Sequence, residues 1–322
     1  MEMKWRKLGK IFDPKDHNLV FECKEFAQSP QSLVFDNFIR IYFSTRVSDA
    51  EGMFLSHIAY VDLDKSFKKV LRTSEKPVID LGGVGCYDEH GIFPLNILKG
   101  ECESEVLGYI TGWNRRQSVA VDGSIGLAIS KDSGETFERI GPGPVLTSSI
   151  DEPFMVADGF VARYLGKYHM WYIFGTKWLL DEGSKRPERV YKIAHAISDD
   201  GVVWQKNDGE KIISDVLGED ECQALPTVVE YNGRYHMYFC FRQARGFREV
   251  KESAYRLGYA HSDDLKSWTR DDASAGIDVS ADGWDSEMMC YPHVFKCDDK
   301  VYMLYNGNNF GRFGFGIAVL ED

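Results

Sequence analysis

Short runs of apolar or alternating residues recur along the chain, and polar turn residues separate them. One pair of runs covers residues 225–231 and 235–241 and is joined by Asn232-Gly233. Asn-Gly between two apolar runs is a strong signal for a two-residue β-hairpin. Similar pairs of runs are 33–35 with 39–43, 159–165 with 168–174, and 293–297 with 301–305. The pattern predicts an all-β protein built from antiparallel hairpins.

A turn motif repeats with a spacing near one fifth of the chain. Three copies, beginning at Ser130, Ser198 and Ser262, share a Ser, an Asp two residues later and a closing aromatic residue. A degenerate fourth copy precedes Phe67. The closing aromatics are 64 to 70 residues apart, and they are Phe67, Phe137, Trp204 and Trp268. Ser and Asp side chains bond their own backbone in such turns, so we expect the motif to build turns and to perform no chemistry.

Four antiparallel strands in each repeat of about 65 residues predict a five-bladed β-propeller. The last repeat stops after its third strand, at residues 314–319. Residues 5–12 resemble the segment that follows each closing aromatic, such as residues 137–141. We therefore expect the N-terminal strand to complete the last blade, so that residues 1–322 form one closed domain. On this prediction, deletion of residues 1–12 destabilises the whole propeller.

Composition narrows the class of protein. The 322 residues include 38 Lys and Arg against 50 Asp and Glu, and this net charge of −12 argues against a nucleic-acid partner. No apolar run approaches the roughly 18 residues of a membrane span. Seven scattered cysteines without a CxxC pair indicate reduced thiols, and we expect a cytoplasmic location. The sequence contains no metal-ligand spacing or cofactor motif, so we expect neither a metal nor a cofactor.

Acidic residues cluster just before the predicted inner strands, which face the axis of a propeller. They are Asp88, Glu89, Asp151, Glu152, Asp158, Glu219, Asp220, Glu221, Asp285 and Glu287. Neighbouring carboxylates raise the pKa of one member, which lets one carboxyl act as an acid while another acts as a base in glycoside hydrolysis. The alternative is that these acids cap turns at the mouth of the axial funnel.

Cations and aromatic residues follow the predicted second strands, at the same end of the axis. The cations either pair with the acids or clamp an anionic group of a substrate. The tryptophans, Trp113 and Trp178, either offer a flat face to a sugar ring or pack against the protein. The candidate substrate-binding residues are Gln28, Arg46, His90, Trp113, Arg115, Glu152, Lys177, Arg242, Glu287, His293 and Asn306.

The five-fold repeat, the Ser-x-Asp turns and the acids before inner strands resemble the five-bladed propeller glycosidases, such as arabinanases, β-xylosidases, invertases and levansucrases. The segments 27–30, 88–94 and 288–293 are similar to uncharacterised bacterial glycosidase-like proteins. The resemblance implies an Asp in blade one as base or nucleophile, an Asp that tunes pKa and a Glu acid. Blade one instead contains Gln28-Ser29-Pro30, without a carboxylate.

This departure leaves three alternatives: the role has passed to Asp88 or Glu89, the mechanism differs, or the protein binds sugar without cleaving it. We expect Glu221 to be the general acid and Asp88 or Glu89 the base. Asp151 or Asp158 then tunes pKa or orients the substrate.

The predicted function is cleavage or transfer of a glycosidic bond. The resemblance and the cation pattern imply an anionic or unusual sugar of bacterial surface polysaccharide as the substrate. Propeller phosphorylases of glycosides resemble the chain too, and they replace water with phosphate held by Arg and Lys. Sialidases share the turn motif but have six blades, so five repeats argue against them. The oligomeric state stays open.

Overall fold

The computed structural model describes residues 3–102, 104–182 and 186–321. These ranges form twenty β-strands and five short 3-10 helices, which confirms the all-β class. The strands are β1 (Trp5–Phe12), β2 (Gln28–Val34), β3 (Phe38–Ser48), β4 (Phe54–Asp64), β5 (Val70–Thr73), β6 (Gly91–Lys99), β7 (Val106–Arg115), β8 (Val121–Ser130), β9 (Glu138–Arg139), β10 (Val156–Tyr164), β11 (Lys167–Leu179), β12 (Glu188–Ser198), β13 (Gln205–Lys206), β14 (Cys222–Tyr231), β15 (Arg234–Arg242), β16 (Arg256–Ser262), β17 (Thr269–Arg270), β18 (Cys290–Cys297), β19 (Lys300–Asn306) and β20 (Phe315–Leu320). The 3-10 helices are Pro14–Asp16, Val20–Glu22, Lys251–Ser253, Asp272–Ser274 and Asn308–Gly311. None of these described helices has the length and apolar character to cross a membrane.

The strands form four-stranded antiparallel groups that follow one another in sequence. We call them the first unit (β2–β5), the second (β6–β9), the third (β10–β13), the fourth (β14–β17) and the fifth (β18–β20 with β1). The first and second units are joined into one eight-stranded sheet by a single parallel pairing of Ser56 with Gly91. In the fifth unit, β1 pairs with β20, with Trp5 opposite Leu320, as the sequence predicts.

The repeated Ser and Asp residues build turns between the third and fourth strands, as expected. In the third unit, the backbone N–H of Gly201 donates to the hydroxyl of Ser198 at 2.9 Å. The Asp200 carboxylate accepts from the backbone N–H groups of Val202 and Val203, both at 2.8 Å. Each turn thus satisfies its own backbone locally.

Each closing aromatic packs against the second strand of the preceding unit. Ring centroids lie 4.9 to 6.1 Å apart in the pairs Phe67 with Tyr302, Phe137 with Tyr42, Trp204 with Tyr109, Trp268 with Trp171 and Trp5 with Tyr238. The pair at Trp5 joins the fifth unit to the fourth, and the pair at Phe67 joins the first unit to the fifth. Each such ring pair contributes about 0.5–1.5 kcal/mol beyond the apolar area that it buries.

The first strands of the five units contact one another in cyclic order: β2 with β6, β6 with β10, β10 with β14, β14 with β18, and β18 with β2. Side chains bridge these inner strands, since the backbone N–H of Val161 donates to Asn96 at 2.9 Å and that of Val294 donates to Thr227 at 3.1 Å. A cavity of about 460 Å³ between them is lined by residues of all five inner strands. The inner strands therefore surround a common centre, and larger apolar clusters fill the spaces between units.

Candidate functional site

Every inner strand contains a register shift near its start. The residues at the shift are Ser29, Phe93, Asp158, Leu225 and Tyr291. All except Phe93 have a positive φ, between 47° and 57°. Residues other than glycine rarely adopt this conformation, and bulges of this kind redirect side chains beside functional sites. One such bulge per unit points to the start of the inner strands as the functional end of the molecule.

A cavity of about 530 Å³ lies at this end, and Phe93, Asp158 and Tyr291 line it from the inner strands. Its wall also includes Trp113 and Tyr255. The arginines that line it are Arg46, Arg115, Arg116, Arg186 and Arg189. Among the described residues of the lining, Asp158 is the only acidic one. The volume is that of a typical small-molecule site.

Asp158 has the environment of a proton donor. Its side chain is buried, and one carboxylate oxygen accepts from the backbone N–H of Leu225 at 3.2 Å. Burial raises its pKa to about 7, although the N–H of Leu225 and the charge of Arg189 act in the opposite direction. A carboxyl group with a pKa near 7 is partly protonated at neutral pH and can donate its proton to a substrate.

The arginines of the cavity differ in their partners. Arg115 donates to the carboxylate of Asp49 at 2.7 Å and to the carbonyl of Phe54 at 2.8 Å. Arg116 pairs with Asp122. Arg46 instead stacks over the rings of Phe26 and Phe54, at 4.7 and 5.5 Å from their centroids. The Nε atoms of Arg46 and Arg189 are both buried and have no hydrogen-bond partner among the described residues.

Arg242 supports the aromatic wall from behind and is not part of the cavity lining. It is 2% exposed, and its guanidinium lies 3.5 Å from the centroid of the Phe247 ring. One of its Nη atoms donates to the hydroxyl of Tyr191 at 2.9 Å, and that hydroxyl lies 2.6 Å from the hydroxyl of Tyr255. Both tyrosines line the cavity, so Arg242 fixes their position.

Four other acids of the cluster that precedes the inner strands are buried in ion pairs within their own units. The pairs are Asp88 with Arg139 at 2.8 Å, Glu152 with Lys206 at 2.6 Å, Glu221 with Arg270 at 2.6 Å and Asp285 with Lys7 at 2.7 Å. Each cation lies on the fourth strand, two residues after the closing aromatic or its counterpart Trp5. None of the four lines the cavity, and each carboxylate faces a cation of its own unit.

The remaining candidate acids and the lysine lie outside the cavity lining. Asp151 and Glu287 are exposed to solvent. Glu89 accepts from the backbone N–H of Gly85 at 3.0 Å. The Nζ atom of Lys177 lies 3.1 Å from a carboxylate oxygen of Glu219 and 2.6 Å from one of Asp220. Lys177 is therefore an ion-pair partner, which is one of the two roles expected for the cations.

The candidate amides and histidines are built into the scaffold. Asn306 is buried and accepts from the backbone N–H of Ser29 at 2.8 Å, while Gln28 donates to a backbone carbonyl. His293 lines the second cavity and lies 3.0 Å from the hydroxyl of Ser32. His90 stacks on Trp113, which lines the main cavity, at 6.2 Å between ring centroids. Of the predicted site residues, the cavity brings together Asp158, Arg46, Trp113 and Arg115.

Arg189 and the tyrosines Tyr191, Tyr255 and Tyr291 also line the cavity, and the sequence pattern does not single them out. Tyr291 directly precedes the proline at the start of its inner strand, as Asp158 directly precedes Gly159. An alignment of the bulge position would therefore have found it. No group of three or more His, Cys, Asp or Glu side chains within the described ranges is arranged to hold a metal ion.

No protein-family model matches the chain. The chain is 36% identical over 322 residues to the uncharacterised protein Rv1502 of Mycobacterium tuberculosis strain ATCC 25618 / H37Rv, and the match covers 99% of this chain and 100% of that protein. The uncharacterised protein MT1551 of strain CDC 1551 / Oshkosh gives the same values. The chain belongs to the Rv1502 family.

Solved structures connect this Rv1502 family member to glycosidase-like proteins by fold. One described as a glycoside hydrolase has a TM-score of 0.73 and 17% identity, with 99% of this chain and 92% of that protein covered. A glycosyl hydrolase from Bacteroides ovatus has a TM-score of 0.71 and 14% identity over 99% and 94%. A member of the GH130 family of mannoside phosphorylases, described as containing hydrolases of β-1,2 mannosidic linkages in Candida mannan, has a TM-score of 0.71 and 14% identity over 99% and 94%. The chain thus has the fold of propeller glycosidases.

Proposed function

We propose that this chain is a glycosidase-like enzyme that cleaves or transfers a glycosidic bond in the cavity beside Asp158. The observation that carries the proposal is a single buried carboxyl, with its pKa raised to about 7, in a cavity of about 530 Å³ at the start of the inner strands. Protonation of the leaving oxygen by such a group is the acid step of glycoside cleavage. Asp158 therefore takes the role of general acid that the sequence pattern assigns to Glu221.

We infer that the five units are the blades of one five-bladed propeller that spans residues 1–322. The cyclic contacts of the inner strands support five blades, and the pairing of β1 with β20 supports closure by the N-terminal strand. The five aromatic pairs between successive units support the same arrangement, since they include one between the fifth and first units. The seven free cysteines are compatible with a cytoplasmic enzyme.

The substrate that we propose is an anionic or unusual sugar, of the kind found in bacterial surface polysaccharide. Among the described residues, five arginines and one acid line the cavity, in a protein whose formal net charge is −12. The site is therefore locally cationic although the molecule is acidic. The aromatic rings of Trp113 and Tyr255 offer apolar faces to a sugar ring.

A second candidate is phosphorolysis, and the composition of the cavity favours it. Hydrolysis normally needs two carboxyl groups, one as acid and one as base or nucleophile. Asp158 is the only acid among the described residues of the lining, and phosphate held by arginines would make a second carboxylate unnecessary. A propeller that binds sugar without cleaving it is the remaining alternative.

The experiment is a panel of aryl glycosides, including uronides, assayed with and without inorganic phosphate. We expect release of the aryl group from at least one glycoside, and loss of this activity in Asp158→Asn. Activity that depends on phosphate supports phosphorolysis, and activity without phosphate supports hydrolysis. Release that Asp158→Asn leaves intact would remove Asp158 from the mechanism, whereas binding of a sugar without release from any glycoside would favour the non-catalytic alternative.

A further inference from the structure

Two arginines of the cavity lack the acidic partners that their neighbours have. Arg115 and Arg116 each pair with an aspartate. Arg46 and Arg189 form no ion pair with any described acidic residue, and the Nε atom of each is buried without a hydrogen-bond acceptor. Arg270, which is also buried but lies outside the cavity, pairs with two acids. Arg46 and Arg189 therefore keep unused donors beside the cavity.

An unpartnered guanidinium in a partly buried site is unfavourable, because the group loses hydration without a compensating charge. Burial lowers the pKa of Arg46, although the group stays charged. The stacking of Arg46 over Phe26 and Phe54 holds its planar face and leaves the donors on its edge available. A ligand that restores acceptors to these donors removes the cost.

We propose that Arg46 and Arg189 form an oxyanion site in the cavity, which takes a carboxylate or a phosphate group. The proposal rests on the proposed function, because it names the charged group that the enzyme recognises beside Asp158. A guanidinium presents parallel N–H donors whose spacing matches the two oxygens of a carboxylate or phosphate. The oxyanion is either part of the sugar, as in a uronic acid, or a free inorganic phosphate.

The test is isothermal titration calorimetry of the full chain at neutral pH and low salt, with three probes. D-Glucuronate represents a sugar carboxylate, inorganic phosphate represents the free anion, and D-glucose is the uncharged control. We expect at least one of the two anions to bind the unaltered protein. Binding of glucuronate alone places the oxyanion on the sugar, and binding of phosphate alone identifies it as a separate reactant.

Arg46→Gln and Arg189→Gln should each weaken binding of that anion by about ten-fold or more, since each removes charged hydrogen bonds. Arg163→Gln is the matched control, because Arg163 is 45% exposed, does not line the cavity and should leave the affinity unchanged. Arg46→Lys keeps the charge but loses the fork, so it should bind with intermediate affinity. If Arg46→Gln does not fold, Arg46→Lys and Arg189→Gln carry the test.

The proposal is overturned if neither anion binds the unaltered protein, or if both glutamine variants retain its affinity. Asp158→Asn separates this result from the proposed function. Removal of a carboxyl from the cavity should leave anion binding equal or tighter, while it lowers turnover by about 10²–10⁴-fold. Suppose that anion binding depends on the two arginines but the protein turns over no glycoside. That result would support the oxyanion site and contradict the proposed glycosidase-like activity.

Discussion

Buried carboxyl groups occupy two kinds of place in this molecule, and only one of them resembles a catalytic site. Glu221 lies 2.6 Å from Arg270, and its other oxygen accepts from the backbone N–H groups of Val216 and Leu217. Asp158 accepts a single backbone N–H and faces a cavity. Both acids interrupt an apolar core, so burial alone does not distinguish them. The partners of the carboxylate do, because both oxygens of Glu221 are already engaged by Arg270 and by backbone N–H groups.

The four paired acids that precede inner strands also have a common structural role. Each precedes an inner strand and contacts a cation on the outermost strand of the same unit, so each ties the entering loop across the whole sheet. In the first unit, Glu25 stands five residues before Pro30, as Glu221 does before Pro226, but Glu25 is 44% exposed and pairs with Arg312 of the fifth unit. The buried pair with a cation of the same unit is therefore a feature of the other four units.

The largest effect should come from Asp158→Asn. Loss of the general acid should lower kcat on a cleaved glycoside by about 10²–10⁴-fold. The rate of the unaltered enzyme should fall as pH rises through about 7, because the protonated form of Asp158 is the active one. A pH profile of kcat for both proteins measures both effects. Unchanged turnover in the variant would show that Asp158 is not the general acid.

Asp158→Asn should raise the stability of the protein above pH 7, although it lowers kcat. The pKa of Asp158 is raised from 3.8 to about 7 in the folded chain, so the unfolded chain loses its proton at lower pH. The free energy of unfolding of the unaltered protein therefore falls between about pH 4 and pH 7 through this group. The variant lacks this loss and should be more stable above pH 7, by at most about 4 kcal/mol. Urea denaturation at pH 5 and pH 8 measures the difference.

Glu221→Gln should have the opposite effects to Asp158→Asn: it should lower the free energy of unfolding and leave kcat nearly unchanged. Removal of the carboxylate leaves the buried guanidinium of Arg270 with reduced compensation, which should lower the free energy of unfolding by about 3–5 kcal/mol. The kcat of the folded fraction should stay within a few-fold, since Glu221 does not line the cavity. Asp88→Asn, which weakens the pair with Arg139, is the matched variant in the second unit. Loss of turnover with unchanged stability in both variants would show that the paired acids, and not Asp158, act as the general acid.

Asp285→Asn should have a smaller effect of the same kind. Lys7 is 23% exposed, so solvent compensates part of the lost charge. We expect a decrease of about 1–3 kcal/mol in the free energy of unfolding. Because Lys7 lies on β1, the variant should also increase amide hydrogen exchange in residues 5–12. Unchanged hydrogen exchange in these residues would show that the ion pair of Asp285 with Lys7 does not hold the N-terminal strand in place.

The smallest shift should come from Arg189→Gln in the pH profile. The charge of Arg189 lowers the pKa of Asp158, so its removal should move the descending limb of kcat to higher pH. The expected displacement is on the order of 0.5 to 1 pH unit. Arg163→Gln, in the same unit but away from the cavity, should leave the limb in place.

The repeats, the hairpins and the pairing of both chain ends could be predicted because each depends on local patterns. Asn232-Gly233 defines its own turn, and the likeness of residues 5–12 to the segment after Phe137 defines β1. The site was harder to predict because a cluster of acids in the sequence does not show which cations face it. Lys206 and Arg270 each stand two residues after a closing aromatic, and that regularity would have indicated ion pairs.

The pairing of β1 with β20 also constrains how the chain folds. β1 is synthesised before β20 and can pair only when β20 has been made, and Trp5 lies opposite Leu320. Contacts between such distant residues carry a large loop-closure entropy and form slowly. Until then, β20 has an open edge and the ring of Trp5 has yet to reach Tyr238. The fifth unit is therefore the last to be completed during synthesis, and its open edge is where the nascent chain is most exposed to aggregation.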